Sequence, residues 1–165
     1  QLRNDKEVVL HAVAQDGRSL RFASYDLQND KEVVLHAVTQ DGRSLEYASC
    51  ELDNDKEVVV IAFSQSEDNL IFASAELGTK KEWISAYLSA EKEILLKCLS
   101  INGLMLKYAS EDDKNNEEIV MLAIQENGMA FQYASDLLKS QKHIQELALY
   151  DDKITDKKVI TTMFP

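Results

Sequence analysis

A 25-residue period constrains this chain more than any other feature. Residues 4–28 read NDKEVVLHAVAQDGRSLRFASYDLQ and residues 29–53 read NDKEVVLHAVTQDGRSLEYASCELD, identical at 19 of 25 positions. Residues 54–78 match the second copy at 13 of 25, and two more divergent copies occupy 90–114 and 115–139. A unit this short cannot bury its own apolar face, so successive copies must stack into an array. Segments 79–89 and 140–154 interrupt the period and read as inserts, while 155–165 opens like a truncated sixth copy. Gln1-Leu2-Arg3 aligns with Asp26-Leu27-Gln28, the close of a copy. The two cut copies lead us to expect a fragment of a longer repeat protein.

Within a copy, Val8, Val9, Ala12 and Val13 fall on one side of a helix of about three turns. Asn4 and Glu7 have capping-box spacing, repeated at Asn29/Glu32, Asn54/Glu57 and Asn115/Glu118. Gly17, Gly42, Gly103 and Gly128 then stand where a left-handed residue would end that helix. Glu67 occupies the slot in the third copy. Leu20, Ala23, Ser24 and Leu27 share a face of a second helix, with Phe22 on another side. Phe22, Tyr47, Phe72, Tyr108 and Tyr133 read as core aromatics filling the space between copies, and the Ala-Ser pairs that follow them as close-approach points. In the inserts, Trp83, Ile84, Tyr87 and Leu88 mark one extra amphipathic helix, and Ile144, Leu147, Ala148 and Tyr150 another. The expected class is all-α, an α-solenoid-like array of short two-helix repeats of about 25 residues with extra helices inserted. Five glycines and one proline leave little turn chemistry for a many-stranded sheet.

The recurring pattern, carried by Asp5, Glu7 to Leu10, Ala12, Val13, Gly17, Leu20, Phe22, Ala23, Ser24 and Leu27, resembles the repeat family known as domain of unknown function 4116. The resemblance covers 4–78 and 90–139 and implies helical repeats that occur in some effectors delivered by intracellular bacteria into host cells. It supplies no catalytic residues.

The residues alone point to little chemistry. His11 and His36 share a slot in adjacent copies, but Ile61, Lys97 and Leu122 hold it elsewhere, so repeat-duplicated surface histidines outweigh a metal site. The acidic run Glu111-Asp112-Asp113 lacks the glycine and spaced ligands of a calcium loop. Ser24, Ser49, Ser74, Ser110 and Ser135 recur in every copy without a nucleophile elbow. Cys50 and Cys98 lie in unrelated slots and form no disulfide framework, which favours a reducing compartment. No cofactor fingerprint is present, and no enzyme is expected.

Charge narrows the partners. The chain has 29 acidic and 18 basic residues, a net charge of -11, which disfavours nucleic acid and anionic membrane. The second and third copies each carry -4, the first and fourth -1, and the fifth -3. A protein partner with a basic or mixed surface is therefore the expectation, with no membrane insertion. Slots that vary between copies locate candidate contact residues: Arg21, Glu46, Ile71, Lys107 and Gln132 form one row. Tyr25, Cys50, Ala75, Glu111 and Asp136 form another. The expected role is a non-catalytic interaction scaffold, cytoplasmic or delivered into a host cytosol, with a structural spacer between other domains as the alternative.

Overall fold

The first element of each repeat is a ten-residue α-helix: α1 (Lys6–Gln15), α3 (Lys31–Gln40), α4 (Lys56–Gln65), α7 (Lys92–Ile101) and α9 (Glu117–Glu126). The computed structural model describes residues 2–78 and 81–150. Among them no strand occurs. The truncated copy expected at 155–165 lies outside the described residues, as does Gln1.

The helix start is set one residue later than the capping-box spacing predicts. Asp5, Asp30 and Asp55, in extended conformation, accept from the backbone N–H groups two and three residues on, and Asn116 caps α9. The aspartate carboxylate outcompetes the neighbouring Asn amide because it also complements the helix dipole. Asn4 serves the end of the copy instead, accepting from Ser24 Oγ at 2.9 Å. Asn54 and Asn115 do the same for Ser74 and Ser135 at 2.5 and 2.7 Å, and Asn29 for Ser49.

The second half of each repeat is not the single α-helix that its apolar spacing suggests. It is a 3-10 helix followed by one short α-turn. The 3-10 segments are Gly17–Phe22, Gly42–Tyr47, Glu67–Phe72, Gly103–Tyr108 and Gly128–Tyr133. The α-turns are α2 (Tyr25–Gln28), α5 (Ala75–Gly78), α8 (Glu111–Lys114) and α10 (Asp136–Lys139); the second repeat has turns at 50–54 in that place. Ala23 and Ser24 between them are extended, with ψ near 160°. Ser24 breaks the helix because its Oγ accepts from Leu27 N and its own N–H donates to Arg3 O. These bonds offer the backbone an alternative to helix continuation. The serines of these pairs are thus caps.

The aromatics do not form the core expected between copies. With three residues per turn, the buried stripe recurs at i and i+3, so Gly17 and Leu20 point inward and Phe22 falls on another side. Phe22 is 52% exposed. Tyr47, Phe72, Tyr108 and Tyr133 are half-buried. The core is mostly aliphatic, built on Val13, Leu20, Val33, Val38, Leu45, Val59 and Leu70 in the first three repeats, with Leu95, Leu99, Leu106, Val120 and Ile124 in the next two, and its buried phenylalanines are Phe63 and Phe131, which lie outside that series.

No glycine among the described residues has positive φ, so the left-handed helix ending does not occur. Gly17, Gly42 and Gly103 are required by space. A Cβ on Gly17 would lie 2.3 Å from the carbonyl oxygen of Ala37, and one on Gly103 would lie 2.0 Å from that of Ala123. Both carbonyls belong to the helix of the following repeat, so glycine lets one repeat lie directly on the next. Glu67 in the same slot is exposed and pairs with Lys81 at 2.5 Å.

The chain divides into two bodies, Gln1–Trp83 and Ile84–Pro165, the boundary falling within α6 (Glu82–Ala90). In the first body α3 packs on α1 and on Gly17–Phe22, and α4 packs on α3 and on Gly42–Tyr47. In the second, α9 packs on α7 and on Gly103–Tyr108. The insert helix expected near Trp83 is α6, in which Ile84 and Leu88 are buried and Trp83 and Tyr87 half-buried. The segment read as a second insert contains α11 (Lys142–Leu149), which begins 25 residues after α9 and packs on α9 and on Gly128–Tyr133. Ala148 stands in the slot of Ala12, Ala37, Ala62 and Ala123 and is fully buried. Residues 140–149 therefore continue the repeat register. Ile144 is buried as expected, whereas Tyr150 is 89% exposed.

Candidate functional site: exposed rows and an inter-repeat charge ladder

Both variable rows are on the surface. Arg21, Glu46, Ile71, Lys107 and Gln132 are exposed, each the fifth residue of its 3-10 segment. The same register that turns Gly17 and Leu20 inward turns this slot outward. Tyr25, Cys50, Ala75, Glu111 and Asp136 are also exposed, each directly after the capping serine. Three members of each row lie in the first body and two in the second. The rows differ in chemistry from repeat to repeat while the leucine beside them stays buried, as Leu20, Leu45, Leu70 and Leu106 do. Row residues also interact with the aromatic next to them: the Arg21 guanidinium sits 4.4 Å from the Phe22 ring centroid, and Lys107 Nζ 5.1 Å from that of Tyr108. Such a contact holds the cation over the ring face. Ile71 is 77% exposed and Tyr25 70%, which places large apolar groups within a polar surface.

A second set of charges joins repeats to one another. Lys6 Nζ contacts Asp30 at 2.7 Å and Glu32 at 2.8 Å; Lys31 contacts Asp55 at 2.9 Å and Glu57 at 3.0 Å. Asp30 and Asp55 are also the helix caps, so each carboxylate satisfies backbone donors and the lysine of the repeat before it. Lys6 holds the Asp30 carboxyl below the usual carboxylate range, and the Asp30 and Glu32 carboxylates raise the Lys6 pKa. Burial pushes Lys31 downward, but Asp55 and Glu57 more than offset it and the net shift is upward. Between α9 and α11 the rung is inverted: Glu117 stands in the lysine slot and meets His143 Nε2 at 3.0 Å. Lys92 instead pairs with the buried Asp113 of its own repeat. The ladder was not read from the sequence, although its signal is there: the recurring Asn-Asp-Lys-Glu puts a lysine 24 and 26 residues before two acids.

Gln65 adds a neutral rung. Its Oε1 accepts from Gly42 N at 2.6 Å, and its Nε2 donates to the carbonyls of Val38 and Thr39 at 2.8 and 2.6 Å. One side chain of the third repeat thus ties the end of α3 to the 3-10 segment that follows it.

His11 and His36 are both exposed on their helices. Among the described residues no group of three His, Cys, Asp or Glu side chains could hold a metal ion. Cys50 is exposed and Cys98 is buried in the slot of Ala12. No helix of the described residues is long and apolar enough to cross a membrane.

Helical units of one recurring pattern, each with a buried apolar side and variable exposed rows, define this protein as a helical repeat array. The chain belongs to the family described as Domain of unknown function (DUF4116), whose pattern matches residues 1–28, 30–77 and 91–139. No curated protein and no solved structure matches it.

Proposed function

We propose that the array is a non-catalytic scaffold that binds another protein through the two exposed rows. The observation that carries this reading is that all ten row positions are exposed while Leu20, Leu45, Leu70, Leu106 and Phe131, directly before the first row, are buried. A repeat scaffold varies its binding chemistry at such positions without disturbing its core. The rows combine cationic, anionic and apolar groups, including Ile71 and Tyr25. The net charge of -11 adds long-range attraction for a partner with a basic or mixed surface. The proposal extends to the setting that the family resemblance implies, a larger bacterial effector acting in a host cytosol.

The test is affinity capture from host-cell lysate with the intact chain and with a variant carrying Glu46→Lys and Lys107→Glu. A partner reproducibly retained by the parent chain and lost from the variant supports the reading. Equal retention by both would rule out this face, and no reproducible partner would favour a structural spacer.

A further inference from the structure

The slot that caps the 3-10 segment holds an acid in some repeats and its amide in others. Asp16 and Asp41 fill it in the first two, Asn102 and Asn127 in the fourth and fifth. All four make one bond: the side-chain Oδ1 accepts at 3.0 Å from the backbone N–H two residues on, that of Arg18, Arg43, Leu104 or Met129. The cap therefore takes a carboxylate or an amide in the same geometry. The next residue is held to glycine by the stack, since a Cβ on Gly103 would lie 2.0 Å from the Ala123 carbonyl oxygen, and Gly128 is buried in the same slot. An amide cap and a required glycine together make an Asn-Gly peptide, in which no side chain shields the glycine nitrogen from the asparagine amide.

We propose that Asn102 and Asn127 are sites of self-deamidation through local opening of their repeats, and that the fold takes back only the aspartate product. The Gly103 nitrogen gives its proton to solvent and bonds to Asn102 Cγ. The Cγ–Nδ2 bond breaks, and Nδ2 takes a proton from solvent and leaves as ammonia, closing a cyclic imide. Water then opens the imide. Cleavage of the new N–Cγ bond leaves aspartate, whereas cleavage of the original backbone C–N bond leaves isoaspartate, whose main chain runs through the side chain. Gly128 and Asn127 react in the same way.

Ring closure needs the glycine nitrogen to eclipse the asparagine Cβ, but Asn102 and Asn127 are extended, with ψ of 106° and 108°, and each side chain is held by its cap bond. The folded repeat blocks closure and the opened one allows it. On reclosing, aspartate finds the bond that Asp16 and Asp41 make, and each conversion adds one negative charge to the net -11. Isoaspartate inserts a methylene into the main chain between the cap and Gly103, which moves the glycine off its place against Ala123.

Peptide mapping by mass spectrometry at mildly alkaline pH tests this, on the intact chain in its native state and in guanidinium chloride. Both asparagines should convert in denaturant, and about tenfold or more slowly in the native chain. Gly103→Ala, compared in denaturant where folding does not enter, should slow conversion at Asn102 and leave Asn127 unchanged. The partly converted chain is then refolded and digested briefly with protease. Its resistant fraction should carry aspartate at 102 and 127, with isoaspartate confined to the digested fraction. No conversion in denaturant, or equal rates in the two states, would overturn the proposal, as would isoaspartate spread evenly between the two fractions.

Discussion

Residues 6–13 and 31–38 have the same sequence, KEVVLHAV, yet α1 buries two residues and α3 four. Local propensity, cap and charge are equal in the two helices, so the difference isolates what a preceding repeat adds. In α3 that addition is the complete burial of Val33 and Ala37 and a lysine delivered to the cap. Stability in this array therefore resides at junctions more than in units, as expected for a one-dimensional stack.

The largest contrast should come from a charge placed in that slot. Val33→Asp puts an unpaired carboxylate into a fully buried site and should cost about 3–5 kcal/mol. Val8→Asp, on the exposed face of the same sequence, should stay within about 0.5 kcal/mol in denaturant unfolding. Equal losses would show that the two helices are not distinguished by stacking.

A smaller contrast lies in the glycine slot. Gly17→Ala sets a methyl group against the Ala37 backbone and should cost about 1–3 kcal/mol in unfolding free energy. Glu67→Ala, in the same slot of the third repeat, gives up an exposed pair with Lys81 and should cost less than about 1 kcal/mol. The comparison sharpens if Gly42→Ala behaves like Gly17→Ala.

The caps give the third contrast. Asp30→Ala and Asp5→Ala each remove a helix cap worth about 1 kcal/mol, and Asp30→Ala additionally releases Lys6. The Asp30 carboxyl is depressed in the folded chain, so its contribution is fully present above its ordinary value of 3.8 and is lost as the pH falls below it. Titration of Asp30 followed by NMR should move upward in a Lys6→Met chain, because the bond to Lys6 is the principal cause of the depression. An unmoved titration would assign the depression to the backbone donors alone.

The period, the all-helical class and the first helix of each repeat could be read from sequence because identity between copies and a four-residue apolar stripe are direct signals. The second half was misread for a specific reason. Leu20, Ala23, Ser24 and Leu27 fit an α-helical face, and nothing in that spacing reveals that Ser24 spends its hydroxyl and N–H on caps to Leu27 and Arg3. The aromatic row was misread for a different reason: Phe22 points away from Leu20 in either helix geometry, and that side meets solvent where a neighbouring repeat was expected. The glycines were assigned to backbone freedom when the cause is the carbonyl of the next repeat, a contact between residues 20 positions apart. The variable rows were found by comparing copies; the exposure of the first follows from the 3-10 register, and the second stands directly after the capping serines.

Thiol reactivity at the two equivalent valines tests the account of the stack most directly. In a chain with Cys50→Ser, Val8→Cys and Val33→Cys would be labelled separately under native conditions, with the buried Cys98 as the internal reference. Burial of the second site by the first repeat predicts labelling at position 8 faster than at position 33 by about a hundredfold or more. Similar rates at both positions would contradict the claim that a neighbouring repeat, and not the helix's own sequence, builds this core.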